Sequence, residues 1–225
     1  AGAGDERHLP PVDLYGHFKA PAHCAGLHGF FAMVAVHDTG GQLPGAAQTV
    51  RRLFDEGLRL TCLDSVCDLS RATERDDAEL LSCIRLAHDF SIPYVRVRAL
   101  DASDAGRAAA QACIGRCLAE AEEKGITLLV ETVGAYSDTF RLKELLMQFA
   151  SDRLCALWDL HHPYFDHGEL PETSIKNLGA YVKHVHVKDS AAEGGERVYC
   201  LPGEGELPME DMMAALASVN YDGFI

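Results

Sequence analysis

Three short apolar runs end in groups that are costly to bury. ITLLVE (126–131) stops at Glu131, LCALWD (154–159) stops at Asp159 before LHHPYFDHGELP, and YVKHVHVKD (181–189) carries His184, His186, Lys188 and Asp189. A buried carboxylate or imidazole needs a partner, and a divalent cation is one that several such groups can share. Glu131, Asp159 and one imidazole make a mixed oxygen and nitrogen donor set. Such a set suits Mn2+ first, then Mg2+ or Co2+, and is compatible with Zn2+. His184 and His186 have the same strand phase, so both can face one side, and His186, nearer the carboxyl end, is the expected ligand.

Each group also has a plainer reading. Glu131 could cap the helix at 138–150 or pair with a lysine, and Asp159 could form a turn before HHPY. His162 could be a loop histidine, and His184 a core histidine bonded to backbone. Three such groups at one end of three consecutive strands favour the metal.

Around these runs the chain alternates β-branched segments with helical ones, the pattern of βαβ units and a parallel sheet. Strands are predicted at 30–36, 58–64, 94–100, 126–131, 154–159 and 181–189, with YDGFI (221–225) opening another. Helices are predicted at 46–57, 76–90, 104–125, 138–150, near 172–178 and at 208–218. The expected fold is an α/β protein of the (β/α)8 TIM barrel type, stopping at the start of its eighth strand and with an atypical first strand. An open doubly wound sheet competes, but no phosphate-binding glycine fingerprint follows an early strand. No linker or low-complexity segment appears, so residues 1–225 read as one domain.

In such a barrel the site lies at the carboxyl ends of the strands, where Glu131, Asp159 and His186 stand. In YVRVRAL, Arg96 and Arg98 share a phase opposite to the valines. Arg98, nearer the mouth, is the candidate contact for an anionic substrate; a solvated or helix-facing arginine is the plainer reading.

A chain of 225 residues with 48% hydrophobic content can build a substantial core. Its formal net charge of −14 opposes nucleic acid and anionic membranes and points to a small-molecule substrate. No run approaches the roughly 20 apolar residues of a membrane span, and AGAGDERHLPPVD has no basic-then-apolar signal pattern, so a cytoplasmic location is expected. The eight cysteines lack a C-x-x-C pair or a compact framework and read as reduced, mostly buried thiols. Cys113 and Cys117 could share a helix face, with packing as the simplest reason.

ETVGAYSDT, WDLHHPY, HVHVKDS, LPGEGELP and YDGFI, in this order and spacing, resemble the sugar phosphate isomerase/epimerase family of xylose isomerase-like TIM barrels, over roughly residues 46 to 225. The resemblance implies a divalent metal held by a Glu ending strand five, an Asp ending strand six, a His in strand seven and a Glu ending strand eight. Carried over by motif, the first three are Glu131, Asp159 and His186. The resemblance also gives His162 a role at substrate hydroxyl or carbonyl oxygens, and matches Lys188 by position as a substrate contact or a mere partner of Asp189.

The implied activity is a metal-dependent sugar isomerase or epimerase that abstracts a proton next to a carbonyl through an enediolate. Glu131 would be the base and His162 its companion, and homodimers or homotetramers are common in this family. Alternatives on the same scaffold are a lyase or dehydratase acting on a cyclic polyol or glycoside, and a metal-poor, non-catalytic barrel. A phosphodiesterase of abasic DNA is opposed by the charge. Three departures stand out: the fourth ligand would fall beyond Ile225, HGFFAMVAV lacks the usual Glu and Arg, and no first strand is evident in PPVDLYGHFKAPAHC.

Overall fold

Helices begin where the sequence supplies a side-chain acceptor. In the computed structural model, which describes residues 30–36, 46–71 and 73–225, Thr73 and Asp76 form a reciprocal capping box on α2 (Glu74–Asp89). Ser103 accepts from the Gly106 amide to start α3 (Asp104–Lys124), which ends on Gly125 at φ 69°. Asp138 accepts from the Phe140 and Arg141 amides to start α4 (Thr139–Phe149). Glu131 is therefore not the cap of α4.

Helix α4 ends on Ala150 at φ 47°, a left-handed position that penalises any Cβ. Ala150→Gly is expected to raise stability by about 0.5–1 kcal/mol, measured as a shift in the urea midpoint.

Between these helices run the strands β1 (Phe30–Val36), β2 (Leu58–Asp68), β3 (Tyr94–Arg98), β4 (Thr127–Glu131), β5 (Leu154–Asp159) and β6 (Val182–His186). The first crossover uses α1 (Ala46–Asp55), and the last uses α5 (His161–His167) and α6 (Pro171–Leu178). All six strands are parallel and their spatial order is their chain order. A doubly wound sheet reverses its order at a switch point, whereas a barrel wall keeps adding strands in one direction. The observed order is that of the barrel. Phe224 makes an isolated parallel bridge to His184, continuing the sheet beyond β6 at the segment expected to open a strand.

The two faces of the wall divide the side chains. One phase, including Val95, Val97, Leu128, Val130, Leu154 and Trp158, joins the large apolar core beneath the helices. The opposite phase holds a small cluster of Cys62, Leu129, Cys155 and Leu157 with Tyr94. Continuing toward the carboxyl ends in that second phase come Asp64, Arg96, Glu131, Asp159 and His186. Residues one pleat further along each strand thus change from apolar to charged, with no change of face.

Two elements differ from expectation. HHPYFDH, where no helix was expected, is the helix α5, so His162 lies in its first turn. The segment after β6 folds back as an antiparallel hairpin, β7 (Asp189–Glu193) and β8 (Glu196–Cys200), turning at Gly194 and Gly195, before α7 (Met209–Ser218). The strand predicted to run on to Asp189 ends at His186 instead. PPVDLYGHFKAPAHC lies outside the described residues. Seven cysteines are free thiols, six of them buried, while Cys24 lies outside the description. Among the described residues no helix is long and apolar enough to cross a membrane.

Candidate active site

Register brings the three strand-terminal groups together. Within the parallel ladders Glu131 pairs with Leu157 and Asp159 with His186, so β4, β5 and β6 end side by side. One ligand atom from each of Glu131, Asp159 and His186 lies within 4.8 Å of the other two. Glu131 and Asp159 are 2% and 1% exposed, which makes a solvated-face explanation untenable.

The surrounding contacts fix both carboxylates. Glu131 Oε1 meets His186 Nδ1 at 3.1 Å, and Oε2 accepts from Arg96 Nε at 2.9 Å and Nη2 at 2.5 Å. Burial by itself would raise the Glu131 pKa, but the hydrogen bond from His186 and the charge of Arg96 outweigh it and lower the value to about 2. Asp159 Oδ2 lies 2.8 Å from Lys188 Nζ, and Oδ1 accepts from the His161 amide at 2.9 Å. The turn-forming role considered for Asp159 is therefore real, and it leaves the second oxygen facing the site. Thr132 Oγ1 accepts from the Asp159 amide at 2.9 Å and donates to its carbonyl at 3.1 Å, tying the ends of β4 and β5.

His162 and Lys188 form the rim. Lys188 Nζ stands 2.9 Å from His162 Nε2, and His162 Nδ1 is 3.4 Å from Asp166. Lys188 pairs with Asp159, not with Asp189. His184 is buried in the barrel interior, and burial, reinforced by the nearby His186, lowers its pKa to about 4. Its ring packs against His186 and Phe224, which supports the core-histidine reading.

The two arginines of β3 take different positions. Arg98 makes no ion pair with these groups among the described residues, and its Nε is buried without a partner. Arg96, one pleat deeper, lies between Glu131 and Asp64, with Nη1 2.7 Å from Asp64 Oδ1. The shared phase was legible, but the partner was not. A lysine cannot span two carboxylates with a planar fork, so Arg96→Lys is expected to cost about 1.5–3 kcal/mol in thermal unfolding of the metal-free protein.

Two further residues escaped the sequence reading. His161 Nε2 lies 2.8 Å from Ser190 Oγ, and burial lowers its pKa to about 4. Tyr199 of β8 places its ring 5.4 Å from that of His161 and 5.8 Å from Lys188 Nζ. The hairpin thereby forms one wall of the mouth. No motif announces such a wall, because it depends on where the hairpin folds back.

The donor set fits a divalent cation. Two carboxylates and an imidazole converge, and His186 Nε2 is buried with no hydrogen-bond partner.

The model of the xylose isomerase-like TIM barrel family matches residues 22–225. Fructoselysine 3-epimerase of Escherichia coli O157:H7 is 28% identical over 109 residues, which are 46% of this chain and 38% of that protein. The chain thus aligns with well under half of that relative's length. Among solved structures, the probable 3-DHS dehydratase AsbF of Bacillus anthracis superposes with a TM-score of 0.70 at 19% identity, covering 88% of this chain and 81% of that one. D-allulose 3-epimerase from Methylomonas sp. gives 0.68 at 20% identity, covering 86% and 71%. At such identities the structures attest the fold, and the family model, matching nearly the whole chain, decides the membership: this protein belongs to the xylose isomerase-like TIM barrel family.

Proposed function

We propose that the protein is a divalent-metal-dependent isomerase or epimerase that acts on a sugar or sugar derivative by removing a proton next to a carbonyl. The observation that carries this reading is the convergence of Glu131, Asp159 and His186 at the carboxyl ends of three adjacent strands, with ligand atoms within 4.8 Å. The sugar-epimerase relatives supply the substrate class.

A cation held by Glu131, Asp159 and His186 would supply Lewis acidity toward the carbonyl and hydroxyl oxygens of the substrate, Mn2+ being favoured by the donor set. Glu131 takes the proton. Its carboxylate is ionised throughout the working pH range, so it is always able to accept, but one held this low is a weak base and requires an acidified C–H. Arg96 and His186 orient the two Glu131 oxygens. Lys188 and His162, adjacent on the rim, hold substrate oxygens and stabilise the charge of the enediolate. The apolar layer of Leu129 and Leu157 below closes the floor to water.

The test is incubation of the metal-loaded protein with a panel of ketoses and inososes in deuterated water. Deuterium entering the carbon next to the carbonyl supports the reading; its absence across the panel, with metal bound, overturns it. A dehydratase is the second reading, favoured by the similarity to the 3-DHS dehydratase. It would share the proton abstraction but release an unsaturated product, which ultraviolet absorbance separates from an isomer.

His162→Ala is expected to raise KM by about tenfold, because one hydrogen bond to a substrate oxygen is worth about 1.4 kcal/mol in this setting. Steady-state kinetics on the substrate found in the panel checks it.

A further inference from the structure

A second set of convergent donors lies on the opposite face of the sheet, beneath the helices. Cys113 and Cys117, one turn apart on α3, and Asp77, in the first turn of α2, place ligand atoms within 4.8 Å of one another. Cys67, near the end of β2, lies in the same buried core. All three cysteines are completely buried and belong to the large apolar core, whereas Glu131 faces the barrel interior.

Ordinary packing does not call for this grouping. Beside Cys113 stand a second thiol, Cys117, and the Asp77 carboxylate, whereas Cys83 belongs to no such donor group among the described residues. Arg116, paired with Asp77 through both carboxylate oxygens, keeps that side chain ionised and adds positive charge beside the cluster.

The dimensions suit a soft cation. Sulfurs held at ~2.3 Å around a tetrahedral ion stand roughly 3.8 Å apart, so atoms already within 4.8 Å need only small rotamer adjustments. Two thiols with one carboxylate favour zinc-like ions over the hard cations that suit Glu131 and Asp159.

We propose that Cys113, Cys117 and Asp77 form a second cation site, for a thiophilic divalent ion of the Zn2+ or Cd2+ kind, that ties α2 and α3 together. Each protonated thiol that binds releases one proton to water, and no electron changes hands. Asp77, at the partly exposed edge of the cluster, is the side from which an ion would enter.

Cadmium titration of the reduced protein, followed by sulfur-to-cadmium charge-transfer absorption, tests the site. Glu131, Asp159 and His186 offer no sulfur and cannot produce the band, so the result is independent of the mouth. One equivalent of Cd2+ is expected to saturate the band. Cys113→Ser is expected to abolish it, Cys83→Ser to leave it intact, and Asp77→Asn to weaken binding by at least about tenfold. On the unaltered protein, Cd2+ should also shield Cys113 and Cys117 from iodoacetamide in partially denaturing urea, while Cys83 and Cys155 stay reactive. That measurement needs no variant to fold. No band, a band that survives Cys113→Ser, or equal reactivity of all four thiols would overturn the proposal.

Discussion

Glu131→Gln is expected to lower solvent-deuterium exchange at the substrate carbon by about 10²–10⁴-fold, the usual range for loss of a positioned general base. Glutamine keeps the shape and can still accept from Arg96, so the fold should survive. It cannot take a proton at this position, and it removes one negative charge from a site that gathers two carboxylates. Cation affinity should therefore fall as well, and the two effects are separable. At a Mn2+ concentration that restores occupancy, measured by electron paramagnetic resonance, the exchange rate should remain low. Full exchange at restored occupancy would remove Glu131 from the role of base and leave it as a ligand only.

Asp189→Ala should be the most destabilising single change outside the apolar core, by about 3–5 kcal/mol. Its buried carboxylate accepts from four backbone amides: Ser190 at 2.8 Å, Gly203 and Gly205 at 2.9 Å each, and Leu207 at 3.2 Å. Truncation leaves those donors without partners. A Cβ on Gly205 would collide with the same carboxylate, which explains the glycine in LPGEGELP.

Burial raises the Asp189 pKa, but the amides of Gly205, Leu207, Gly203 and Ser190 more than offset it, and the net shift is downward. The folded pKa lies below the unfolded one, so this stabilisation is fully present above about pH 4 and is lost as pH falls through the folded value. Chemical denaturation of Asp189→Asn between pH 7 and pH 3 should accordingly show a shallower acid limb than the unaltered protein. An unchanged limb would mean the clamp is energetically neutral. Because the clamped loop carries the β7–β8 hairpin, and with it Tyr199 beside His161 and Lys188, the same variant should loosen one wall of the mouth.

The Arg96 arrangement bears on how a cation would bind. In the metal-free protein Arg96 and Lys188 supply the positive charge that Glu131, Asp64 and Asp159 require. For Glu131 the consequence is direct: the charge of Arg96 helps hold its carboxyl below the usual carboxylate range despite burial.

By itself the sequence determined the alternation of strands and helices, the barrel class, and the strand-terminal position of Glu131, Asp159 and His186, with His186 nearer the carboxyl end than His184. These are local facts: strand phase repeats every two residues, turn and cap signals sit beside the segments they end, and a polar group at the end of an apolar run is visible without any partner. Tertiary structure alone decided that Arg96 rather than Arg98 serves Glu131, that Lys188 pairs with Asp159 rather than its neighbour Asp189, and that Asp189 gathers amides from a loop up to 18 residues away. Arg96 and Glu131 are 35 residues apart, and their meeting depends on strand register. A slip of one residue would send either side chain to the other face, and register is set by packing of the whole wall, which no local stretch of sequence contains.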